Sequence, residues 1–580
     1  MPVSRADVES FLAVDLGTIH TRASLFDVVD GEYHYIATGI AQSTLDAPFN
    51  DIGECVHNAI ASLQEISGRT MLTKESRVVI PSNAEGIGVD RMVMTYSAGP
   101  ELRLVIAGLL PEVSLGSAQR LAQSIRSKVV ETISINDRRK AEVQVDSIIK
   151  GKPDLVLLCG GTDNGANRSV LKLVELIMLV CRVLPQNNRP KVIYLGNAFL
   201  ASKVKEILKK WTHVATAPNI RPSLEVENVT GTMEMLGNVM TYLRGQSIGG
   251  FDGVARGCST PPVPTAHAMG KMVQFLSRIN EPTKNVLAVD VGASVTTVAS
   301  SNLGNLSLSV LPYGLGTSAN NLAQPALIEQ MLQLSPVPLS ADALRDYLWQ
   351  KSLYPNSLPM TEETFAMEQA ALRLALRLAA RDFISNGRSD FLVAEPILVS
   401  GAPINHLPTP EHSLLVLLDG LQPCGVSTLI LDRNNILAGL GAIARINSIL
   451  PVQILESNAF LNLGTVIAPI SRARFGTHIL KVTLEDESNN KTRVDIHQGT
   501  LATLPLKLAQ IGRITVEALN GAVIDTLHDR RSLSFKVVGG YCGVIIDARG
   551  RPLALPKEPA RRQELYNKWS ISLGIKAGQV

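Results

Sequence analysis

The chain has no Cys-x-x-Cys pair. Its six cysteines, Cys55, Cys159, Cys181, Cys258, Cys424 and Cys542, are scattered. That excludes a zinc ribbon or a disulfide framework read from spacing and fits a reduced, cytoplasmic compartment. Neither sign of charge dominates: 55 basic against 52 acidic residues leave +3, which gives no reason to expect a nucleic-acid partner. No apolar run reaches the roughly 20 residues a membrane-spanning helix needs. The longest, "LVELIMLVCRVL" (Leu173–Leu184), predicts a buried helix instead, and no integral membrane segment. The opening "MPVSRADVES" is polar and acidic, unlike a signal peptide. HExxH, GxxxxGK[ST] and GxSxG are all missing, and the ten histidines are dispersed. His20 reads as local filler, and Cys159 as a buried apolar residue rather than a nucleophile.

What the chain does have is a sequence written twice. "FLAVDLGTIHTRASLFD" (Phe11–Asp27) returns in its first half as "VLAVDVGASVTTVAS" (Val286–Ser300). Leu12, Ala13, Val14, Asp15, Gly17 and Thr21 superpose on Leu287, Ala288, Val289, Asp290, Gly292 and Thr296. Each copy predicts a buried strand, an acidic residue, a glycine turn and a second strand. The length suits about four domain-sized units. Residues 1–95 hold the first copy, with "GEYHYIATG" as a third strand and a helix at Asp51–Glu65. Residues 96–225 alternate strands and helices ("ELRLVIAGLL", "SLGSAQRLAQSIRSK", "PDLVLLCG", "RSVLKLVELIMLVCRVL", "KVIYLGN", "AFLASKVKEILKKW", "HVATA"), which predicts a right-handed parallel α/β insert. Residues 226–282 read as a helical connection and 283–450 hold the second copy. There a helix over Thr361–Ser385 carries Arg373, Arg377 and Arg381 on a face expected to meet solvent. Residues 451–580 predict a separate β-rich domain, with a hairpin at Asn520–Gly521 and a basic tail including Arg561, Arg562 and Lys568.

A glycine in such a turn lets backbone approach a ligand closely, and successive turn amides form an anion-binding concavity. An aspartate facing the same space can hold water or a hydrated magnesium, which takes one or two carboxylates together with phosphate oxygens. Two such turns in duplicated lobes could grip the phosphates of a nucleotide from both sides. One Asp-x-Gly turn alone would say little; both aspartates could simply cap backbone N–H groups.

The two turns resemble the phosphate-one and phosphate-two loops of the actin/Hsp70/sugar-kinase superfamily. "ILVSGAPI" and "LDRNNILAGLGAIARI" are similar to its adenosine-motif strand and the helix that follows. Between the loops, "LRLVIAGLLPEVSLGSAQRLA", "PDLVLLCGGTDNGANRSVL" and "YLGNAFLASKV" resemble the glutamate mutase-associated MutL family. The resemblance covers roughly residues 10–450, and "GGYCGVIIDARGRPLALP" looks like the C-terminal region of longer members. It implies an actin-like duplicated two-lobed α/β ATPase fold with a parallel α/β insert and a C-terminal β-rich domain. It also implies ATP and magnesium as cofactors. Asp15 and Asp290 would be the catalytic residues and would hold the metal through water. Gly17, Thr18, Thr21, Arg22, Gly292, Ser294 and Thr296 would lie along the phosphates, with Gly401 and Ala402 at the adenosine.

The resemblance implies an ATP-binding, reactivase- or chaperone-type companion of an adenosylcobalamin-dependent mutase or similar enzyme, with oligomerisation left open. Several departures point to weak or lost hydrolysis: Ala293 where the family has a second glycine, Val295 and Ile19 in place of hydroxyls, Thr297 in place of a late aspartate, and Ser400–Gly401–Ala402 in place of a glycine pair. Phosphoryl transfer depends on positioning and electrostatics at such groups. The alternative is a non-catalytic scaffold that recruits partners through its insert and β domain. The loop "CGGTDNGAN" (Cys159–Asn167) lies between a buried strand and a helix start. It reads equally as an anion site at Thr162, Asp163 and Asn167 and as a tight turn with Asn167 as helix cap. Asp163 is the one candidate for the general base of a small-molecule kinase, the least favoured reading.

Overall fold

The computed structural model describes residues 9–385, 393–524 and 532–575; the polar opening segment, residues 1–8, lies outside them. The first lobe begins with β1 (Phe11–Leu16), β2 (His20–Val29) and β3 (Glu32–Gln42), joined as an antiparallel meander. Helix α1 (Gly53–Ser67) packs on β2 and β3 through Cys55, Val56, Ala59, Ile60 and Leu63, and β4 (Arg91–Tyr96) pairs parallel with β1. The "FLAVDL" run is apolar without alternation because both faces of β1 are covered.

The insert is a five-stranded parallel sheet. In chain order it runs β5 (Leu102–Gly108), α2 (Gly116–Ala122), β6 (Ser127–Ser134), α3 (Ala141–Gly151), β7 (Leu155–Leu158), α4 (Asn167–Val183), β8 (Lys191–Tyr194), α5 (Ala201–Leu208) and β9 (Val214–Thr216). The strand order is β6-β5-β7-β8-β9. One face buries Val105, Val156, Val192 and Tyr194 with α3, α4 and α5; on the other, Leu104, Ile106, Leu155 and Leu157 merge into the core of the first lobe. The helix expected over "SLGSAQRLAQSIRSK" stops at Ala122, and its last residues open β6. This edge strand is mostly half-exposed, so no apolar run marked it.

Next come α6 (Val229–Ser247), α7 (Phe251–Ala255), β10 (Val263–Pro264), which joins β4, and α8 (Thr265–Ile279). The second copy supplies β11 (Asn285–Val291), β12 (Thr296–Asn302) and β13 (Asn305–Leu311). After it come α9 (Pro325–Leu334), α10 (Ala341–Leu353), α11 (Glu362–Ser385), β14 (Ala394–Ser400), α12 (Ala402–Asn405), α13 (Pro410–Gly420), β15 (Gly425–Leu431) and α14 (Leu437–Ile443). The orders β3-β2-β1-β4-β10 and β13-β12-β11-β14-β15 match, strand for strand and in polarity. The actin-like duplicated fold expected from the sequence is present.

The final helix of each lobe packs on the other lobe's sheet, α8 on β11, β12 and β13, and α14 on β1 and β4. The two helices also pack on each other. Gly441 sits at that crossing, where an added Cβ would lie 1.9 Å from the carbonyl oxygen of Ala268. Gly441→Ala is therefore expected to cost about 1–3 kcal/mol by overpacking, read as a lowered urea midpoint with unchanged slope. An unchanged midpoint would show that the crossing relaxes freely.

The region after residue 450 carries α15 (Ile449–Glu456), β16 (Leu461–Ala468), β17 (His478–Asp486), β18 (Lys491–His497), β19 (Leu501–Leu504), β20 (Ile511–Ala518), β21 (Ser532–Val538), β22 (Val544–Asp547) and α16 (Pro559–Ser572). It is β-rich, but only one of its sheets stands apart from the second lobe. β16, β22 and β19 extend the second lobe's sheet to eight strands, and β18-β17-β20-β21 form a four-stranded sheet of their own. The basic tail is helix α16, in which Arg562 is buried and donates to the carbonyls of Pro556 and Lys557.

The arginine face of α11 also departs from expectation. Arg381 meets solvent, but Arg373 is 1% exposed and its Nε donates to Asp419 at 2.7 Å, while Arg377 donates to the Asp419 carbonyl at 2.9 Å. Helix α13 supplies Asp419, and Tyr566 of α16 lies under the Arg373 guanidinium. Arg549, also fully buried, bonds both Asp419 and Asp547. Periodicity could not foresee two later elements closing over a charged face.

Candidate functional site

Each duplicated hairpin closes on its glycine. The Gly17 amide donates to the His20 carbonyl at 3.0 Å and the Gly292 amide to that of Val295 at 2.9 Å. A Cβ on Gly17 would come within 2.6 Å of the His20 oxygen. Asp15 pairs in register with Arg22, and Asp290 with Thr297, so these four point into one cleft between the lobes. Thr21 and Thr296, expected along the phosphates, fall one residue out of phase and point the other way, since strand side chains alternate. Thr21 is buried and donates to Cys55 Sγ at 3.2 Å; Thr296 donates to the Tyr313 carbonyl at 2.8 Å. Neither faces the cleft. The other expected residues, Asp15, Gly17, Thr18, Arg22, Asp290, Gly292, Ser294, Gly401 and Ala402, all line it.

The two aspartates differ. Asp15 Oδ1 accepts from Thr95 at 2.6 Å and Thr265 at 2.9 Å, which fixes its carboxylate. Asp290 faces the cleft but is otherwise enclosed. Burial pushes its carboxyl up to about 6, with the Asp15 and Asp432 carboxylates adding to the rise and Arg22 and a Ser400 hydrogen bond opposing it. The two groups are thus electrostatically coupled across one space.

The strand β14 ends at Gly401, whose φ of 117° and packing, with an added Cβ only 2.2 Å from the Val291 carbonyl oxygen, admit no side chain. Its amide donates to Asn435 Oδ1 at 3.1 Å. Asp432, fully buried, accepts from the amides of Ile436 (3.1 Å) and Leu437 (2.8 Å) at the start of α14; burial raises its carboxyl to about 6. Sequence reasoning missed Asp432 and Asn435, although an acidic residue a few positions ahead of a helix is a capping signal. It also missed the far wall, where Lys351 Nζ meets Glu368 at 3.0 Å and Glu368 accepts from Tyr347. Lys351 comes from α10 and Glu368 from α11, and only the fold joins them. His20 is more than filler, since it lines the cleft with His406. Burial, chiefly, lowers both imidazoles below their ordinary range.

The tips of the two turns touch. Ser294 Oγ donates to Thr18 Oγ1 at 3.1 Å and shares a 2.7 Å hydrogen bond with Thr317. The Ala293 carbonyl accepts from Gly316 at 2.9 Å.

The insert loop takes no part in this cleft. Asp163 Oδ1 accepts from the Ala198 amide (3.0 Å) and Asn219 (2.9 Å), and Asn167 accepts from Asn197 (2.9 Å). Cys159 is fully buried, its thiol pushed up to about 12 by desolvation, and it is no nucleophile.

Among the described residues, no three His, Cys, Asp or Glu side chains gather as a metal site. The donor set suits a hydrated cation completed by phosphate oxygens, with carboxylates from Asp15 and Asp290. Gly401, Ala402 and Asn435 line the same cleft. The residues present therefore fit a nucleotide whose magnesium would lie at Asp15 and Asp290 and whose nucleoside would lie at Gly401. Among the described residues no helix is long and apolar enough to cross a membrane.

A family model described as "MutL protein" matches residues 11–459. No curated protein matches the sequence. Solved structures similar in shape include acetone carboxylase in its nucleotide-free form (11% identity, TM-score 0.34, covering 84% of this chain and 81% of that one). The ATP-dependent caprolactamase of Pseudomonas jessenii is another (10%, 0.34, 84% and 81%), as is the diol dehydratase-reactivating factor in nucleotide-free form (8%, 0.31, 76% and 99%).

Proposed function

This chain belongs to the MutL protein family, the glutamate mutase-associated family of that name, and from that premise we propose that it is an ATP-binding accessory protein with weak or lost hydrolysis. Its job is that of a reactivase- or chaperone-type companion to an adenosylcobalamin-dependent mutase or a similar enzyme. One observation carries the nucleotide reading: equivalent aspartates on duplicated hairpins, Asp15 and Asp290, enclosed by a single cleft. Asp15 and Asp290 hold magnesium through water. Gly17, Thr18, Arg22, Gly292 and Ser294 lie along the phosphates, and Gly401 and Ala402 lie at the adenosine. Magnesium, when bound, supplies charge neutralisation of the phosphates. Thr297, opposite Asp290, offers no carboxylate to activate water, which supports slow turnover. The units 1–95, 96–225, 226–282, 283–450 and 451–580 are proposed as the working divisions, with the insert and C-terminal region presenting surfaces that respond to lobe closure.

Isothermal titration with ATP, with and without magnesium, tests this. Binding that needs magnesium and weakens at least tenfold in Asp15→Ala is expected; no heat at millimolar nucleotide would overturn it. A turnover rate typical of kinases, about 1–100 per second, would overturn weak hydrolysis. The scaffold reading is favoured by one observation, the direct contact between the turn tips. It predicts partner binding indifferent to nucleotide. Co-purification of a mutase subunit, with recovery changed by ADP or ATP, supports the companion role.

A further inference from the structure

We propose that Thr18, Ile19, Ser294 and Gly316 form a clasp that makes the cleft prefer a nucleoside diphosphate to a triphosphate; this rests on the nucleotide reading above. A nucleoside seated at Gly401 and Asn435 sends its phosphates toward the two turns. A phosphoryl group held from both sides at hydrogen-bond distances of about 2.7 Å needs the opposing hydroxyls roughly twice that far apart or more. Here the Thr18 and Ser294 hydroxyls stand 3.1 Å apart and bonded, and Ser294 is anchored again by Thr317. The terminal position is filled by the protein's own hydroxyls.

Two residues that depart from the phosphate-loop pattern complete the contact. Ile19, in place of a hydroxyl, crosses from the first lobe to Gly316 of the second; a Cβ on Gly316 would lie 3.0 Å from Ile19 Cδ1 and 2.7 Å from Ala293 Cβ. Ala293, in place of glycine, turns its carbonyl to the Gly316 amide. Of these two departures, Ile19 makes a cross-lobe contact, and Ala293 holds Gly316 within the second lobe.

Charge points the same way independently. The cleft already holds the carboxylates of Asp15 and Asp290. Lys351 is paired with Glu368, so among the described residues Arg22 and Arg126 are the lining arginines left for phosphate. Magnesium accompanies either nucleotide, so the extra charge of a terminal phosphate falls to these two arginines to balance. A triphosphate therefore enters by parting the clasp and opening the lobes, whereas a diphosphate leaves them closed.

The test is displacement of a fluorescent ADP from the full chain, in magnesium, by ADP and by a non-hydrolysable ATP analogue. The expected result is at least tenfold tighter binding of ADP. Ile19→Ser and, separately, Thr317→Val, which frees Ser294 from its second anchor, are each expected to tighten the triphosphate analogue threefold or more while moving ADP less than twofold. Equal or tighter binding of the analogue by the unaltered chain, or variants that weaken both nucleotides alike, overturns the clasp and leaves nucleotide binding intact. Failure of the fluorescent ADP to bind at all overturns both.

Discussion

Asp419→Ala is expected to destabilise the protein by about 3–5 kcal/mol, the usual cost of removing one member of a buried ion pair. Asp419 has no exposed surface and stands between two guanidiniums, Arg373 at 2.7 Å and Arg549 at 2.7 Å. Both arginines are themselves buried, over the rings of Tyr566 and Trp569. Without the carboxylate, Arg373 keeps only Gln369, and Arg549 keeps Asp547. Asp547 is held well below the ordinary carboxylate range by Arg549 and Arg551 against the cost of its burial, so its remaining charge cannot be shared out. The cluster ties the end of β22 and helix α16 to α11 and α13. Urea unfolding should show a large fall in midpoint, and limited proteolysis should cut first within residues 549–575. A loss below about 1 kcal/mol would mean that water or rearranged partners replace Asp419.

Asp290→Asn is expected to remove magnesium-dependent nucleotide binding while making the folded chain more stable at neutral pH. The sign follows from its raised carboxyl. The folded state holds the proton up to about pH 6, whereas the unfolded chain releases it near 3.8. This group therefore favours the fold most below the unfolded value, and that contribution is lost as pH rises through the window from 3.8 to about 6. At 1.36 kcal/mol per pKa unit the loss is at most about 3 kcal/mol. Arg22 faces the same carboxylate and limits it; Asp15 and Asp432 enlarge it. Unfolding of the two proteins compared between about pH 4 and pH 7.5 should diverge in favour of the asparagine variant as pH rises. Nucleotide affinity of the unaltered chain, measured with magnesium, should fall as pH drops below about 6. A variant that binds ATP and magnesium unchanged would remove Asp290 from the site, and identical pH profiles would mean that its carboxyl is not enclosed as described.

The duplicated lobes were legible because their strands are local: "FLAVDLG" and "VLAVDVG" each carry a buried run, an acid and a turn glycine within seven residues. The same locality carried Gly17, Gly292 and Gly401. It failed for Thr21 and Thr296, where one residue of strand phase decides which face a hydroxyl takes, and for β6, whose edge position left no apolar run to read.

From the sequence alone came the pairing of Asp15 with Asp290, the glycine turns and the kinship of the two lobes, since short-range patterns of apolar and polar residues dictate strands and turns directly. Tertiary structure alone decided that the arginines of α11 are buried and that Lys351 meets Glu368. It alone brought Thr18 and Ser294 into contact across the cleft. Those contacts join residues tens to hundreds of positions apart, and their energies depend on what covers them, a property that no local stretch of chain carries.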